Sequence, residues 1–186
     1  MFLYSKFLKR VDIGQLSFKM SKRHLRISVV FTHEEAIKVI NHLNDKHKLM
    51  VRRMYGSGIR ISKLIRLRVK VLDFGLSQTV IRNGTKQALL DEGDKDRITL
   101  LPERLIEALK DQIKTIELIH KQDLYDGYGD VYLPNALSVK YQNALKELIW
   151  QYLFPSHFMS IDPRSGKKRR HHINKGTLTK QGATAY

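Results

Sequence analysis

The chain has 186 residues, with 34 Lys and Arg against 18 Asp and Glu, a net charge of +16 and a pI near 10.1. Its apolar content of 42% supports a folded domain with a core rather than a disordered chain. The lack of cysteine excludes disulfides and thiolate metal sites and fits a reducing cytoplasm. No apolar run is long enough for a membrane span or a signal peptide. The excess positive charge favours a polyanionic partner, with nucleic acid first and a membrane surface second.

The N-terminal stretch is basic and weakly periodic. Residues 1–12 predict a short amphipathic helix. Residues 13–30 predict a linker. Its basic residues are explained equally well by a segment that lies along a phosphate backbone and by a solvated loop.

A helix is predicted over residues 32–48. Thr32 followed three positions later by Glu35 is a capping box, the usual signal of a helix start. Three histidines of this helix are expected to face solvent rather than to bind a metal: His33, His42 and His47.

Gly56 and Gly58 are predicted to end the preceding helix in a tight turn. Apolar residues at helical spacing then predict a new helix: Ile61, Leu64 and Ile65. Arg60, at the first turn of that helix, is a candidate phosphate ligand because its planar guanidinium can make two hydrogen bonds to non-bridging oxygens. A surface arginine beside a glycine turn explains so short a motif equally well.

The middle of the chain predicts a β-hairpin and a long helix. Residues 78–82 and 97–101 are rich in Val, Ile, Thr and Leu and should pair as antiparallel strands across a long connection. Pro102 suits the first turn of the following helix, whose apolar positions continue to about residue 120.

The C-terminal third combines loops, aromatic residues and a basic cluster. Residues 122–135 are predicted to be loop and 136–149 to form helical turns. Residues 150–156 (WQYLFPS) are an aromatic run, and a basic cluster follows within residues 162–172. Unstacked bases stack on aromatic side chains that lie beside basic side chains. The aromatic run next to the basic cluster therefore favours a nucleic-acid interface over a solvated tail or a nuclear-type signal.

Several segments resemble one family of DNA-processing enzymes. The resemblance to the first catalytic box and β-hairpin of tyrosine recombinases lies in residues 55–60 (YGSGIR), 67–69 (LRV), 73–74 (DF) and 95–101 (KDRITLL). The insertion that distinguishes integron integrases is similar to residues 150–156 and to the segment from Asp162-Pro163 to Arg169-Arg170-His171-His172.

The resemblance implies an α+β fold: the mainly helical front half of a tyrosine-recombinase catalytic domain with one small antiparallel β-hairpin. It places the end of the N-terminal DNA-clamping domain and the linker in residues 1–30. A partial catalytic domain would fill residues 31–186, with the integron-type insertion at about 122–175. A chain truncated in this way is expected to leave part of its core uncovered, at Leu64, Ile65 and Leu109.

The resemblance also assigns roles to residues. In this family a tyrosine cuts one DNA strand, two arginines stabilise the transition state, and a lysine of the hairpin loop protonates the leaving hydroxyl. Arg60 matches the first arginine, and Lys86 or Lys95 matches the lysine. The DNA-binding residues implied are Trp150, Pro163, His171 and His172 at extrahelical bases, with Lys167, Lys168, Arg169 and Arg170 beside them. No metal and no other cofactor is implied.

The sequence departs from the family pattern at informative places. Lys63 stands where a glutamate usually orients the first arginine, and Val71 where an aspartate is common. The second arginine box and the nucleophilic tyrosine are expected beyond residue 186, and Tyr186 lacks a nucleophile's context.

Three hypotheses follow. The first is a truncated integron-type recombinase that is unable to cleave DNA. The second is a non-catalytic module that binds folded single-stranded or duplex recombination sites and associates with itself or with an intact integrase. The third is an inactive remnant. In each case the partner is DNA in a bacterial cytoplasm, with no membrane.

Overall fold

The computed structural model describes residues 30–81, 97–133 and 142–184, with side chains except at residue 142 and from residue 181 onward. The chain divides into two units, Met1–Phe31 and Thr32–Tyr186, and every helix and strand of the described residues belongs to the second unit. The helix and linker predicted within residues 1–30 lie outside the described residues.

The predicted capping box is confirmed. Helix α1 (His33–His42) begins after Thr32, whose hydroxyl accepts the Glu35 N–H at 3.3 Å. The Glu35 carboxylate accepts the Thr32 N–H in return at 2.8 Å.

The single helix predicted over residues 32–48 is wrong. Leu43 is extended (φ −74°, ψ 150°), and Asn44 begins a second helix, α2 (Asp45–Ser57), by accepting the N–H of His47. The expectation that His47 faces solvent is also wrong, because its side chain is buried. His33 and His42 are exposed as predicted.

The glycine turn and the predicted hairpin are present. α2 ends at Gly58, which is left-handed (φ 61°), and a one-turn helix α3 (Ile61–Leu64) follows. After a 3-10 turn (Val69–Val71), a three-stranded antiparallel sheet forms in the order β1-β2-β3. Its strands are β1 (Leu72–Asp73), β2 (Gln78–Ile81) and β3 (Arg97–Leu100).

The long helix extends further than predicted. A 3-10 turn (Glu103–Leu105) leads into α4 (Ile106–Tyr125), so residues 122–125 are helical rather than loop. The apolar pattern stops near residue 119, but the buried stripe of the helix continues through two polar residues, His120 and Asp123.

The last part of the described chain contains elements that the sequence did not predict. The helical turns Gln142–Lys146 and Leu148–Trp150 agree with the prediction over the described part of residues 136–149. A second antiparallel sheet, β4 (Pro155–Ile161) and β5 (Lys168–His172), follows, and then helix α5 (Lys175–Thr184).

The main core lies between α2, α3, α4 and residues 153–154. Leu64, Ile65 and Leu109 are all buried in it, so the expectation that they would be uncovered is wrong. A smaller cluster, built around Val131 and Tyr152, lies next to the β4–β5 hairpin. The mixed α+β fold is confirmed, with two small antiparallel sheets instead of one hairpin.

Candidate nucleic-acid interface

Arg60 lies at the start of α3, just after the Gly58 turn. Its carbonyl accepts the N–H groups of Lys63 and Leu64 at 2.9 and 3.0 Å, which makes it the N-cap of α3. The adjacent Ile59 is buried and fixes the backbone, whereas the Arg60 side chain is exposed. Within the described part of the chain its guanidinium makes no hydrogen bond or ion pair, so its N–H donors are open to an anion.

Two close contacts hold this turn. A Cβ on Gly56 would lie 2.8 Å from Cγ of Pro102, so a larger residue would push the two segments apart. Arg97, the first residue of β3, donates from Nη2 to the Gly58 carbonyl at 3.1 Å. The base of the β2–β3 hairpin is therefore tied to the turn that presents Arg60.

The hairpin lysines predicted to act with Arg60 are not among the described residues. Lys86 and Lys95 lie outside the described residues, so the choice between them stays a prediction. Lys63, where the family has a glutamate, is half-buried. Its positive charge cannot orient Arg60 as a carboxylate would.

Arg53 is a structural residue of the predicted catalytic hairpin that the sequence reasoning missed. The side chain is completely buried, yet it contacts no carboxylate among the described residues. It donates to the Leu100 carbonyl at 2.7 Å and to the Thr79 hydroxyl at 2.5 Å, and its Nε has no partner there. Desolvation lowers the pKa of Arg53 to about 10, so it remains charged at pH 7. Arg53 thus joins α2 to both strands of the predicted catalytic hairpin.

Arg68 joins the predicted catalytic box to the predicted insertion. Its guanidinium donates to the carbonyls of Trp150 and Tyr132, the latter at 2.6 Å, and lies 4.6 Å from the centre of the Tyr152 ring. Desolvation lowers the pKa of Arg68. The backbone adds to this junction, because the Leu153 N–H donates to the Leu67 carbonyl at 2.8 Å.

Trp150, predicted to stack on a base, lies at the same junction. It is half-buried against the smaller core cluster. The ammonium of Lys70 lies 4.1 Å from the centre of its ring, a favourable cation–π contact.

The basic cluster divides between the two faces of the β4–β5 hairpin, because side chains alternate along a strand. Arg170 contacts α4 on one side, with Nε and Nη2 donating to the two oxygens of Asp123 at 2.6 and 2.7 Å. Arg169 is buried and donates to Asp162 at 3.2 Å. Lys167 and Lys168 are exposed, so these two lysines are available to phosphates.

An open cavity of about 320 Å³ lies beside the hairpin turn. Pro163, Arg164, His171 and Tyr132 are among the residues that line it, which brings two predicted base-recognition residues together. The Arg164 guanidinium lies 4.7 Å from the centre of the Tyr132 ring. Burial alone would raise the pKa of Asp162, at the cavity edge, but hydrogen bonds from Arg164 and Ser165 and the charge of Arg169 hold it below its usual value.

The pKa values of the two histidines are lowered from the ordinary histidine value. His171 and His172 lie 4.1 Å apart between ring centres, and each ring is 5.3 Å from Tyr152. Desolvation and the neighbouring His172 lower the pKa of His171 to about 4, and desolvation also lowers the pKa of His172. The Ile173 carbonyl lies 2.8 Å from Nδ1 of His172 and fixes the proton on that nitrogen.

Two further properties concern only the described residues. No three His, Asp or Glu side chains lie close enough together there to hold a metal ion. No helix in that part is long and apolar enough to cross a membrane.

Residues 29–183 match the family profile described as "Phage integrase family". The chain belongs to the phage integrase family. Its match to this family extends through the Arg60 turn, the three-stranded sheet and the β4–β5 hairpin.

Two curated proteins named "Integrase/recombinase", one from Escherichia coli and one from Pseudomonas aeruginosa, are each 38% identical to this chain over 148 residues. These matches cover 80% of this chain and 42% of each relative, so the chain spans less than half their length. "Tyrosine recombinase XerA" of Thermococcus onnurineus (strain NA1) is 30% identical over 87 residues, 45% of this chain and 28% of that protein. A crystal structure of XerA recombinase matches at a TM-score of 0.47 and 20% identity, over 98% of this chain and 50% of that chain.

Proposed function

We propose that this phage integrase family chain binds DNA recombination sites as part of a tyrosine recombinase of the integron integrase type. It recognises bases that stand outside the helix of a folded single strand. The observation that carries this proposal is the cavity shared by Tyr132, Pro163, Arg164 and His171. Its volume of about 320 Å³ falls within the range of small-molecule sites and leaves room for an extruded base.

The lining chemistry suits a nucleotide. The Tyr132 ring offers an apolar surface to a base, and the Arg164 guanidinium offers N–H donors to a phosphate. His171, neutral at pH 7, can hydrogen bond to a base edge without the cost of burying a charge. Trp150 provides a second aromatic surface, and Arg68 joins its backbone to that of Tyr132.

Strand cleavage is not proposed for this chain by itself. Arg60 is exposed and open to a phosphate, but Lys63 replaces the carboxylate that would orient it. We propose that residues 31–186 act as the DNA-binding part of a catalytic domain, and residues 1–30 as the end of an N-terminal DNA-clamping domain and the linker that follows it. A chain that binds DNA in this way acts in the bacterial cytoplasm, alone, with a second copy or with an intact integrase.

A gel-shift titration tests the proposal. The purified chain is titrated against a folded hairpin with extrahelical bases and against a plain duplex of equal length. We expect tighter binding to the hairpin, and loss of that preference in His171→Ala, which changes the cavity, and in Trp150→Ala. Equal affinity for both DNAs, decreasing to the same extent as salt is added, would mean that the chain binds DNA only through non-specific charge, as an inactive remnant would.

The same samples on denaturing gels test the absence of cleavage. We expect no covalent protein–DNA adduct. An adduct that disappears in Arg60→Ala would contradict this part of the proposal and would indicate an active recombinase.

A further inference from the structure

The β4–β5 hairpin has a bulge at residues 156–158 of β4, to which the proposed function gives no role. Pro155 pairs with His172 and Met159 with Arg170, so the register shifts between these two pairs. Such an irregularity changes the direction in which side chains point.

Three backbone carbonyls of this segment are held by cationic side chains from other elements. Lys46 of α2 donates to the Pro155 carbonyl at 2.8 Å. Nη1 of Arg170 donates to the carbonyls of Ser156 and His157 at 3.0 and 2.8 Å. Asp123 in turn holds Arg170 through two hydrogen bonds. The bulge is therefore fixed in one conformation by buried and half-buried polar groups.

The conformation that is fixed in this way exposes an aromatic residue. Phe158 is 77% exposed, and its N–H donates to the Ser156 hydroxyl at 3.3 Å. The exposed ring of His157 packs beside it, with 5.0 Å between ring centres. The exposed Phe158 ring lacks the stabilisation that its burial would give.

We propose that Phe158, supported by His157, is a second base-stacking site that binds an unpaired nucleobase. The inference rests on the proposed function, because it assumes that the hairpin faces DNA. The partner is nucleic acid because the same hairpin exposes Lys167 and Lys168, on a chain of net charge +16. An aromatic face beside cations binds single-stranded DNA without requiring a particular base. Arg170, which Asp123 holds in place, acts here as a positioning residue because it donates to the Ser156 and His157 carbonyls of the bulge.

Binding of a single-stranded oligonucleotide that carries 2-aminopurine tests this proposal. Stacking quenches the fluorescence of this base analogue. We expect Phe158→Leu to weaken binding about tenfold and to remove part of the quenching, whereas Phe158→Trp retains both. Leu118→Ala is the matched control, since Leu118 on α4 is 69% exposed, has no ring and lies outside the lining of the cavity. It should bind as the wild type does.

The outcomes separate this proposal from the one on which it rests. If the wild-type chain binds neither this oligonucleotide nor the folded hairpin with extrahelical bases, the proposed function itself is wrong. If it binds the folded hairpin alone, only the second stacking site is wrong. If the wild-type chain binds and Phe158→Leu binds and quenches equally, only the second stacking site is wrong. A dimer in sedimentation that Phe158→Leu dissociates, with DNA binding unchanged, would place Phe158 against a second copy and also overturn it.

Discussion

The arginines of this chain differ in what their guanidinium groups contact. Arg53 and Arg68 donate to backbone carbonyls, and Arg169 and Arg170 contact carboxylates. Arg60 alone of these five makes no such contact within the described part of the chain. A count of basic residues therefore overstates how many can contact DNA, because several are used to hold the fold together.

Arg53→Ala should destabilise the chain by about 2–4 kcal/mol, because it leaves a cavity and removes the partner of the Leu100 carbonyl and the Thr79 hydroxyl. Urea unfolding measures this. Arg52→Ala is the control, since Arg52 is exposed and hydrogen bonds only to Asn41 among the described residues, so its loss should cost about 0.5 kcal/mol or less. Equal losses in the two variants would contradict the structural role of Arg53.

The histidines make stability depend on pH. The pKa values of His47, His171 and His172 are lowered in the folded chain, that of His171 to about 4. The unfolded chain therefore binds protons first, and stability is lost as pH falls from about 6.5 towards 4. Thermal unfolding at pH 7.5 and pH 5 should show this loss, and His171→Gln should reduce it. A wild-type midpoint unchanged between these pH values would show that the histidine pKa values are not lowered.

At the scale of secondary-structure elements, sequence patterns predicted where helices and strands begin better than where they end. The Thr32–Glu35 capping box and the strands around 78–82 and 97–101 have local signals, and both were found. The break at Asn44 was missed because Leu43 is buried and continues the apolar pattern through the interruption.

The parts of the site that were missed depend on contacts between distant residues. α4 continues past its apolar stripe because His120 and Asp123 find partners in the Lys146 carbonyl and Arg170. Nothing within residues 155–161 alternates strongly enough to predict β4. A sequence pattern shows that Arg170 is charged, but not that it is paired with a carboxylate 47 positions away.

The β4–β5 hairpin should depend on its anchor to α4. Asp123→Ala leaves Arg170 without its carboxylate in a largely buried place and should destabilise the chain by about 3 kcal/mol in urea unfolding. Asp111→Ala removes an exposed ion pair with Lys114 and should cost about 0.5 kcal/mol or less. If Asp123→Ala costs no more than Asp111→Ala, the anchor is not what holds the hairpin.

At the scale of the whole molecule, the net charge of +16 predicts binding that weakens as salt is added. Lys167 and Lys168 are the exposed lysines of the hairpin. If each contacts one phosphate, their double replacement by alanine should reduce the slope of log K against log salt by about 1.4 on a single strand. Replacing Lys110 and Lys114, which pair with acidic residues on α4, should leave the slope nearly unchanged. Equal slopes for the two double variants would mean that the hairpin lysines do not contact phosphate.

The most direct test of base recognition by this chain removes a base from the DNA instead of a side chain from the protein. A folded hairpin with extrahelical bases is compared with hairpins in which each of these bases in turn is replaced by an abasic site. We expect the wild-type chain to bind at least one abasic hairpin about tenfold more weakly. We expect His171→Ala to bind that hairpin and the original equally, because the base then has no partner in the cavity. Equal binding of all these hairpins by the wild-type chain would contradict the recognition of extrahelical bases.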